Sequence, residues 1–294
     1  MGLFNKNNVY IVGELVEVKD FRLDVHSGDK NYVAATVVIK SIVNGKELLT
    51  EARTFINELT TKGAVNKNYT VVKDIQSMLG KRVVISGGNI RGERFWSERT
   101  SQLANSTRIN FNLIRLARTQ ETEDKATFEF GGFVTRPIQE VVDENGDVKY
   151  FQITLGQANY KEDNMFEVTF TVTKDNIKAV RVMEEKYEAG VTVEINGNCE
   201  TIVTQKAVQT EVAFGEAIEK IYTNVDKKYV ITGGSDIISG DGEYTEEIIS
   251  RLVSAYKAEG AEIQKKASEK GNTATTASNS AKPKSKASSL AGLI

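Results

Sequence analysis

Between Gly80 and Arg118 the chain concentrates the side chains best suited to holding a flexible polyanion. Lys81, Arg82, Arg91, Arg94, Arg99, Arg108, Arg115 and Arg118 are opposed there only by Glu93 and Glu98. Among them sit Phe95, Phe111 and Trp96, the single tryptophan of the chain. A guanidinium forks onto phosphate and also stacks flat on rings. An exposed ring takes an unpaired base for about 1–3 kcal/mol, and phosphate contacts add salt-dependent attraction. Interleaved arginines and rings therefore suit a grip on single-stranded nucleic acid, with Ser97, Ser101, Gln102, Asn105 and Ser106 as neutral hydrogen-bonding groups. The plainer expectation is that Phe95 and Trp96 plug one end of a barrel, Phe111 joins the core, and the arginines form a solvated rim. A weaker second cluster holds Phe21, Arg22, His26, Lys30 and Tyr32, diluted by Asp20, Asp24 and Asp29.

Catalytic patterns are missing from the chain. His26 is the only histidine and Cys199 the only cysteine. That excludes a His–His metal pair, a cysteine zinc cage and an intrachain disulfide. No GxxxxGK[ST] phosphate loop occurs, and Gly87-Gly88 and Gly233-Gly234 read as turns or bulges beside strands. Asp143-Glu144-Asn145-Gly146-Asp147 resembles half a calcium loop but lacks the downstream acid, which suits a hairpin tip. We expect no enzyme, no cofactor and no metal.

The elements that would carry these residues are strands. Val9–Val12, Ala35–Ile39, Val83–Ile85 and Ile109–Ile114 show alternation or short β-branched runs. Asn44-Gly45 between two apolar runs predicts a hairpin. In the second half Phe128–Val134, Tyr150–Leu155, Phe166–Val172, Val191–Ile195 and Tyr229–Thr232 repeat the plan. Gly80–Gly87 can be laid on Gly190–Gly197, each after a predicted helix (Val71–Leu79 and Asn176–Tyr187) that ends at its glycine. Gly13-Glu14-Leu15-Val16 likewise falls on Gly132-Phe133-Val134-Thr135, a strand opening with a glycine that permits sharp curvature. The order in each unit is strand, strand, strand, helix, strand, strand, that of the five-stranded oligonucleotide-binding barrel. We therefore expect a mainly β chain of two such barrels in tandem, residues 1–120 and 121–240. A helix from Thr245 to about Lys266 follows, weakened or ended at Gly260, then a flexible tail over 269–294. On that fold Arg91–Thr107 is the gripping loop between strands four and five, and Phe21–Tyr32 flanks the one between strands one and two.

The net charge of −2 conceals an asymmetry. Residues 1–120 hold 18 Lys and Arg against 11 Asp and Glu, whereas residues 121–260 hold 14 against 27. A basic unit beside an acidic one predicts that the first binds a polyanion and the second binds the first unit, a neighbour or another protein. The short N-terminal run lacks a secretory core and no stretch reaches the length of a membrane span, so the expected location is the cytoplasm.

The barrel plan, the Arg91–Arg118 stretch and the C-terminal leash resemble single-stranded DNA-binding proteins of the oligonucleotide-binding-fold class, especially divergent bacteriophage versions. The resemblance implies protection of exposed DNA strands in replication, recombination or repair, and recruitment of partners through the chain's end. Its apolar tip here is Leu290, Leu293 and Ile294, but Lys282, Lys284 and Lys286 precede it where cellular members carry acids. A second reading is a β-rich assembly subunit, such as a virion or scaffold component, with no nucleic-acid role.

Overall fold

The computed structural model describes residues 3–23, 31–210 and 218–277. In the first half, β1 (Asn7–Leu23), β2 (Tyr32–Val43) and β3 (Lys46–Asn57) are followed by α1 (Lys67–Lys73), then β4 (Arg82–Ser97), β5 (Gln102–Asn110) and the short β6 (Ile114–Leu116). The second half runs β7 (Lys125–Val142), β8 (Val148–Ala158), β9 (Met165–Thr173), α2 (Ile177–Lys186), β10 (Thr192–Thr210) and β11 (Ile218–Gly234). The last helix is α3 (Glu246–Ala277).

Local chemistry explains most boundaries. Asn44 and Gly45 both take positive φ, 51° and 76°, the conformation a two-residue turn needs to match strand twist. β2 and β3 leave it in continuous register from Val43↔Lys46 to Tyr32↔Asn57. At the second hairpin the Asp143 carboxylate accepts the amides of Asn145 and Asp147, at 2.8 and 3.0 Å, so this acidic cluster organises a turn. Asn66 and Asn176 cap α1 and α2 by accepting the amides of Asn68 and Ala179. α1 starts earlier than its apolar residues suggest and gives way after Lys73 to a 3₁₀ turn over Ile75–Met78. The turns entering β4 and β10 still pass through left-handed glycines, Gly80 at 71° and Gly190 at 95°.

Apart from the short β4–β6 ladder, the ladders of the two halves match pair for pair. β1 pairs with β2, β2 with β3, β3 with β5 in parallel, β5 with β4, and β4 again with β1. β7, β8, β9, β11 and β10 close the same circuit, with β9 and β11 parallel. The glycine alignments of the sequence repeat are realised in the register: Gly13 stands opposite Val83 and Gly132 opposite Val193. The flanking bonds repeat too. Leu15 N donates to Lys81 O and Gly80 N to Leu15 O, as Val134 N donates to Val191 O and Gly190 N to Val134 O. A Cβ at Gly13 would run into the carbonyl of Lys40, and one at Gly132 into that of Gly156. Both glycines are thus required by the close crossing of one strand over its neighbour.

The halves share one structure. The first part of β1 pairs antiparallel with the first part of β7, from Asn7↔Phe130 to Val12↔Lys125. A single apolar cluster runs from Val9, Ile11 and Leu15 through Phe128, Phe130 and Phe170 to Ile231. Opposite charges also meet across the halves. Lys46 reaches Glu200 at 2.6 Å, Arg115 reaches Glu121 at 2.5 Å, and Arg82 pairs with Asp124. Part of the charge asymmetry is therefore matched inside the molecule.

α3 starts at the expected place but runs through Gly260 instead of ending there. Its Leu252 and Tyr256 pack on Phe133, Ala158, Met165 and Tyr244. It continues to Ala277, beyond the expected start of the tail, and the remaining tail with Leu290, Leu293 and Ile294 lies outside the described residues. No helix among the described residues is long and apolar enough to cross a membrane.

Candidate nucleic-acid interface

The expected loop over Arg91–Thr107 is a β-hairpin instead. β4 and β5 stay paired from Asn89↔Asn110 to Ser97↔Gln102, so only Glu98–Ser101 turn the chain, with Ser101 at a φ of 51°. Extended pairing satisfies the backbone groups that a mobile loop would leave to water. Pairing also splits the basic cluster, because residues directly opposite share a face and neighbours alternate. Arg91, Glu93 and Phe95 share one face with Arg108, Ser106 and Ala104. Gly92, Arg94 and Trp96 share the other with Thr107, Asn105 and Leu103.

The second of those faces is turned to the rest of the protein. Gly92 lies against the backbone of Glu167 in β9, closely enough that a Cβ would collide with its carbonyl. The Arg94 guanidinium sits 3.4 Å from the centroid of the Tyr256 ring and donates to the Tyr256 carbonyl at 2.7 Å. Burial raises the Tyr256 phenol above its ordinary 10, with Arg94 pulling the other way. Arg94 is therefore a clamp on α3, and Trp96 is half-buried on that same face.

The other sequence candidates scatter. Phe111, 1% exposed, belongs to the core, as the plainer expectation had it. Arg82 is held by Asp124 and by the carbonyls of Glu121 and Thr122 at 2.8 Å each. Arg115 makes a two-pronged bond to Glu121 at 2.5 and 2.7 Å. Phe21 packs against the core edge. Lys81, Arg91, Arg99 and Arg118 are exposed, and Phe95 is 44% exposed beside a cleft between the hairpin, β9 and α3. Lys30 and His26 lie outside the described residues.

What the fold does gather is a cleft of about 480 Å³ over β2, β3 and β5. Its floor is low because β2 offers Ala34 and Thr36, and its rim carries Tyr32, Phe55, Lys19, Arg22, Arg53 and Arg108. Tyr32 and Phe55 hold their rings 4.6 Å apart, tilted by 33°, and Phe55 is 58% exposed. A register shift between Lys19 and Arg22, with Asp20 at a φ of 49°, turns Arg22 toward the cleft. Arg108 is paired with Glu93 at 2.5 Å and Lys19 with Glu17 at 3.2 Å. Arg22 and Arg53 have no ion-pair partner among the described residues, and both are exposed. The cleft thus offers two rings beside two uncommitted guanidiniums, with Asp20, Glu51 and Glu93 limiting the positive potential.

Arg53 and Phe55 were not among the sequence candidates, although their signal is present. Once Asn44-Gly45 is a hairpin, β3 must alternate: Leu48, Thr50, Ala52, Thr54 and Ile56 are buried, leaving Glu51, Arg53 and Phe55 outside. An exposed aromatic two residues from an exposed arginine marks that face.

Comparison with known proteins bears on fold and family. No curated protein matches the sequence. Two solved structures of a single-stranded DNA binding protein from Thermus aquaticus share the architecture at 9% identity. One is a deletion mutant with a TM-score of 0.51 over 80% of this chain and 96% of that one. The other is the wild-type protein, with a TM-score of 0.50 over 83% and 98%. The YorF family model matches residues 6–272, nearly the full extent of the two repeated halves and α3, and the chain accordingly belongs to the YorF family.

Proposed function

We propose that this protein is a non-enzymatic, sequence-tolerant binder of single-stranded DNA, built as two oligonucleotide-binding barrels in tandem. The cleft over β2, β3 and β5 carries the reading: the Tyr32–Phe55 ring pair stands beside Arg22 and Arg53 on the strand face such barrels use for oligonucleotides. The likeness to single-stranded DNA binding proteins in fold supports it. Bases stack on the rings and phosphates lie on the guanidiniums, with no base-edge readout. The role that follows is cover for exposed strands in replication, recombination or repair in the cytoplasm. The resemblance of the sequence to bacteriophage versions supports a phage-borne protein.

The test is fluorescence anisotropy of labelled oligo(dT), duplex DNA and RNA over a salt series. Affinity for oligo(dT) should fall linearly on a log–log plot, by about 0.7 decade per decade of salt for each phosphate contact. Arg53→Ala/Phe55→Ala should weaken binding at least about tenfold with the fold intact, since one stack alone is worth about 1–3 kcal/mol. A wild-type chain that ignores oligo(dT) at low salt would end this reading.

A further inference from the structure

The repeat identifies which residues of the second half stand where the first half builds its cleft. In the first half Thr36 pairs with Arg53 and Ala34 with Phe55. The matching pairs in the second are Gln152 with Thr171 and Tyr150 with Thr173. Arg53 and Thr171 are also where the parallel contacts form, Arg53 beside Asn110 and Thr171 beside Val230. Two residues back along β5 and β11, Lys228 therefore takes the place of Arg108.

A cleft of about 460 Å³ lies at those positions, lined by Tyr150, Gln152, Thr169, Thr171 and Lys228. Its chemistry repeats the first in altered form. Each half has one aromatic ring at the same cross-strand pair, Phe55 on the third strand of one and Tyr150 on the second strand of the other. Each has a cation from the strand parallel to its third, Arg108 on β5 and Lys228 on β11, and the Lys228 ammonium stands 4.3 Å from the centroid of the Tyr150 ring. Thr169 occupies the position of Glu51, and the acid at this cleft, Glu167, is paired with Arg136 at 3.3 Å. The acid that lines this cleft is thus already engaged by a cation. Ser106 and Thr107 of β5 line both clefts, so the β4–β5 hairpin is their shared wall.

We propose that the Tyr150–Lys228 cleft is a second nucleic-acid subsite, taking a base on the Tyr150 ring and a phosphate on Lys228. A single strand crosses Ser106–Thr107 from the first cleft to this one. This rests on the function proposed above and replaces the expectation that the acidic half leaves nucleic acid alone.

The experiment uses the full chain and fluorescein-labelled oligo(dT) of graded length, from about 6 to about 30 nucleotides, spanning one and then two barrel sites. Wild-type affinity should step up once a probe outgrows one cleft. Tyr150→Ala/Lys228→Gln should bind the shortest probes within about twofold of wild type and the longest about tenfold more weakly. Tyr150→Phe, which keeps the ring, should restore the long-probe affinity lost in Tyr150→Ala. Photo-cross-linking of 5-iodouracil probes should mark Tyr150 with long probes and not with short ones. Circular dichroism checks folding, and the single variants Tyr150→Ala and Lys228→Gln serve should the double variant fail. If Tyr150→Ala/Lys228→Gln binds every length as wild type does while Arg53→Ala/Phe55→Ala weakens all of them, the subsite is refuted and the proposed function stands. If wild type binds no probe, the proposed function itself fails.

Discussion

At the scale of single residues, charge alone misdirects and partners decide. Arg115 and Arg53 have the same side chain, but Arg115 is locked to Glu121 while Arg53 points into an open cleft. The lock has a measurable signature. The Arg115 guanidinium, and after it the Arg118 amide, hold the Glu121 carboxyl down at about 2 against its ordinary 4.5. A carboxyl whose folded pKa is depressed contributes stability above its unfolded pKa and loses it as pH falls toward the folded value. Thermal stability should therefore decline between about pH 4.5 and pH 2 with a component that Glu121→Gln removes. Melting temperatures measured across that window for both proteins check this, and parallel curves would refute it. Of the site residues, Arg22 was legible in the sequence because it flanks a predicted turn. Arg53 and Phe55 were missed because they lie in a strand with mixed outward residues and no local cluster of charge.

At the scale of elements, the β4–β5 hairpin and α3 explain one another. The β4–β5 hairpin extends beyond the shared sheet and rests on β9 and α3, met through Gly92 and Arg94. Gly260, which reads as a helix breaker in the sequence, lies where the Arg94 guanidinium approaches the helix so closely that a Cβ would collide with it. A side chain there would have to displace that guanidinium, and the remaining contacts of α3 outweigh the cost of about 1 kcal/mol for a glycine within a helix. Arg94→Ala should therefore lower stability by about 1–2 kcal/mol, the value of a desolvated cation–π contact and its hydrogen bond. It should weaken oligonucleotide binding less than Arg53→Ala does. Urea denaturation and anisotropy on both variants decide the matter, and a larger binding loss in Arg94→Ala would return this residue to the nucleic-acid surface.

At the scale of the whole molecule, the two halves hold together as one body. The β1–β7 ladder, the common apolar cluster and the Asn7 side chain, which bonds Ile90 on one side and Gln157 on the other, cross between them. A chain cut after residue 120 would expose the Asn7–Val12 edge and uncover apolar residues of β1. It would also remove Asp124 from Arg82 and Glu121 from Arg115. Such a fragment should aggregate or lose its cooperative unfolding transition, as read by size-exclusion chromatography and circular dichroism. A monomeric fragment that melts cooperatively near the full-length temperature would show the halves to be independent.

The amino-acid order by itself determined the Asn44-Gly45 hairpin, the left-handed glycines before β4 and β10, and the repeated strand–helix plan. Each depends on signals confined to a few residues: positive φ, period-two alternation and side-chain caps. Only the tertiary structure decided which cations are open, because Arg94 finds its partner 162 positions away and Arg82 and Arg115 are neutralised by acids of the second half. Backbone conformation is set by near neighbours, but the fate of a long charged side chain is set by whatever the fold carries to within hydrogen-bonding reach.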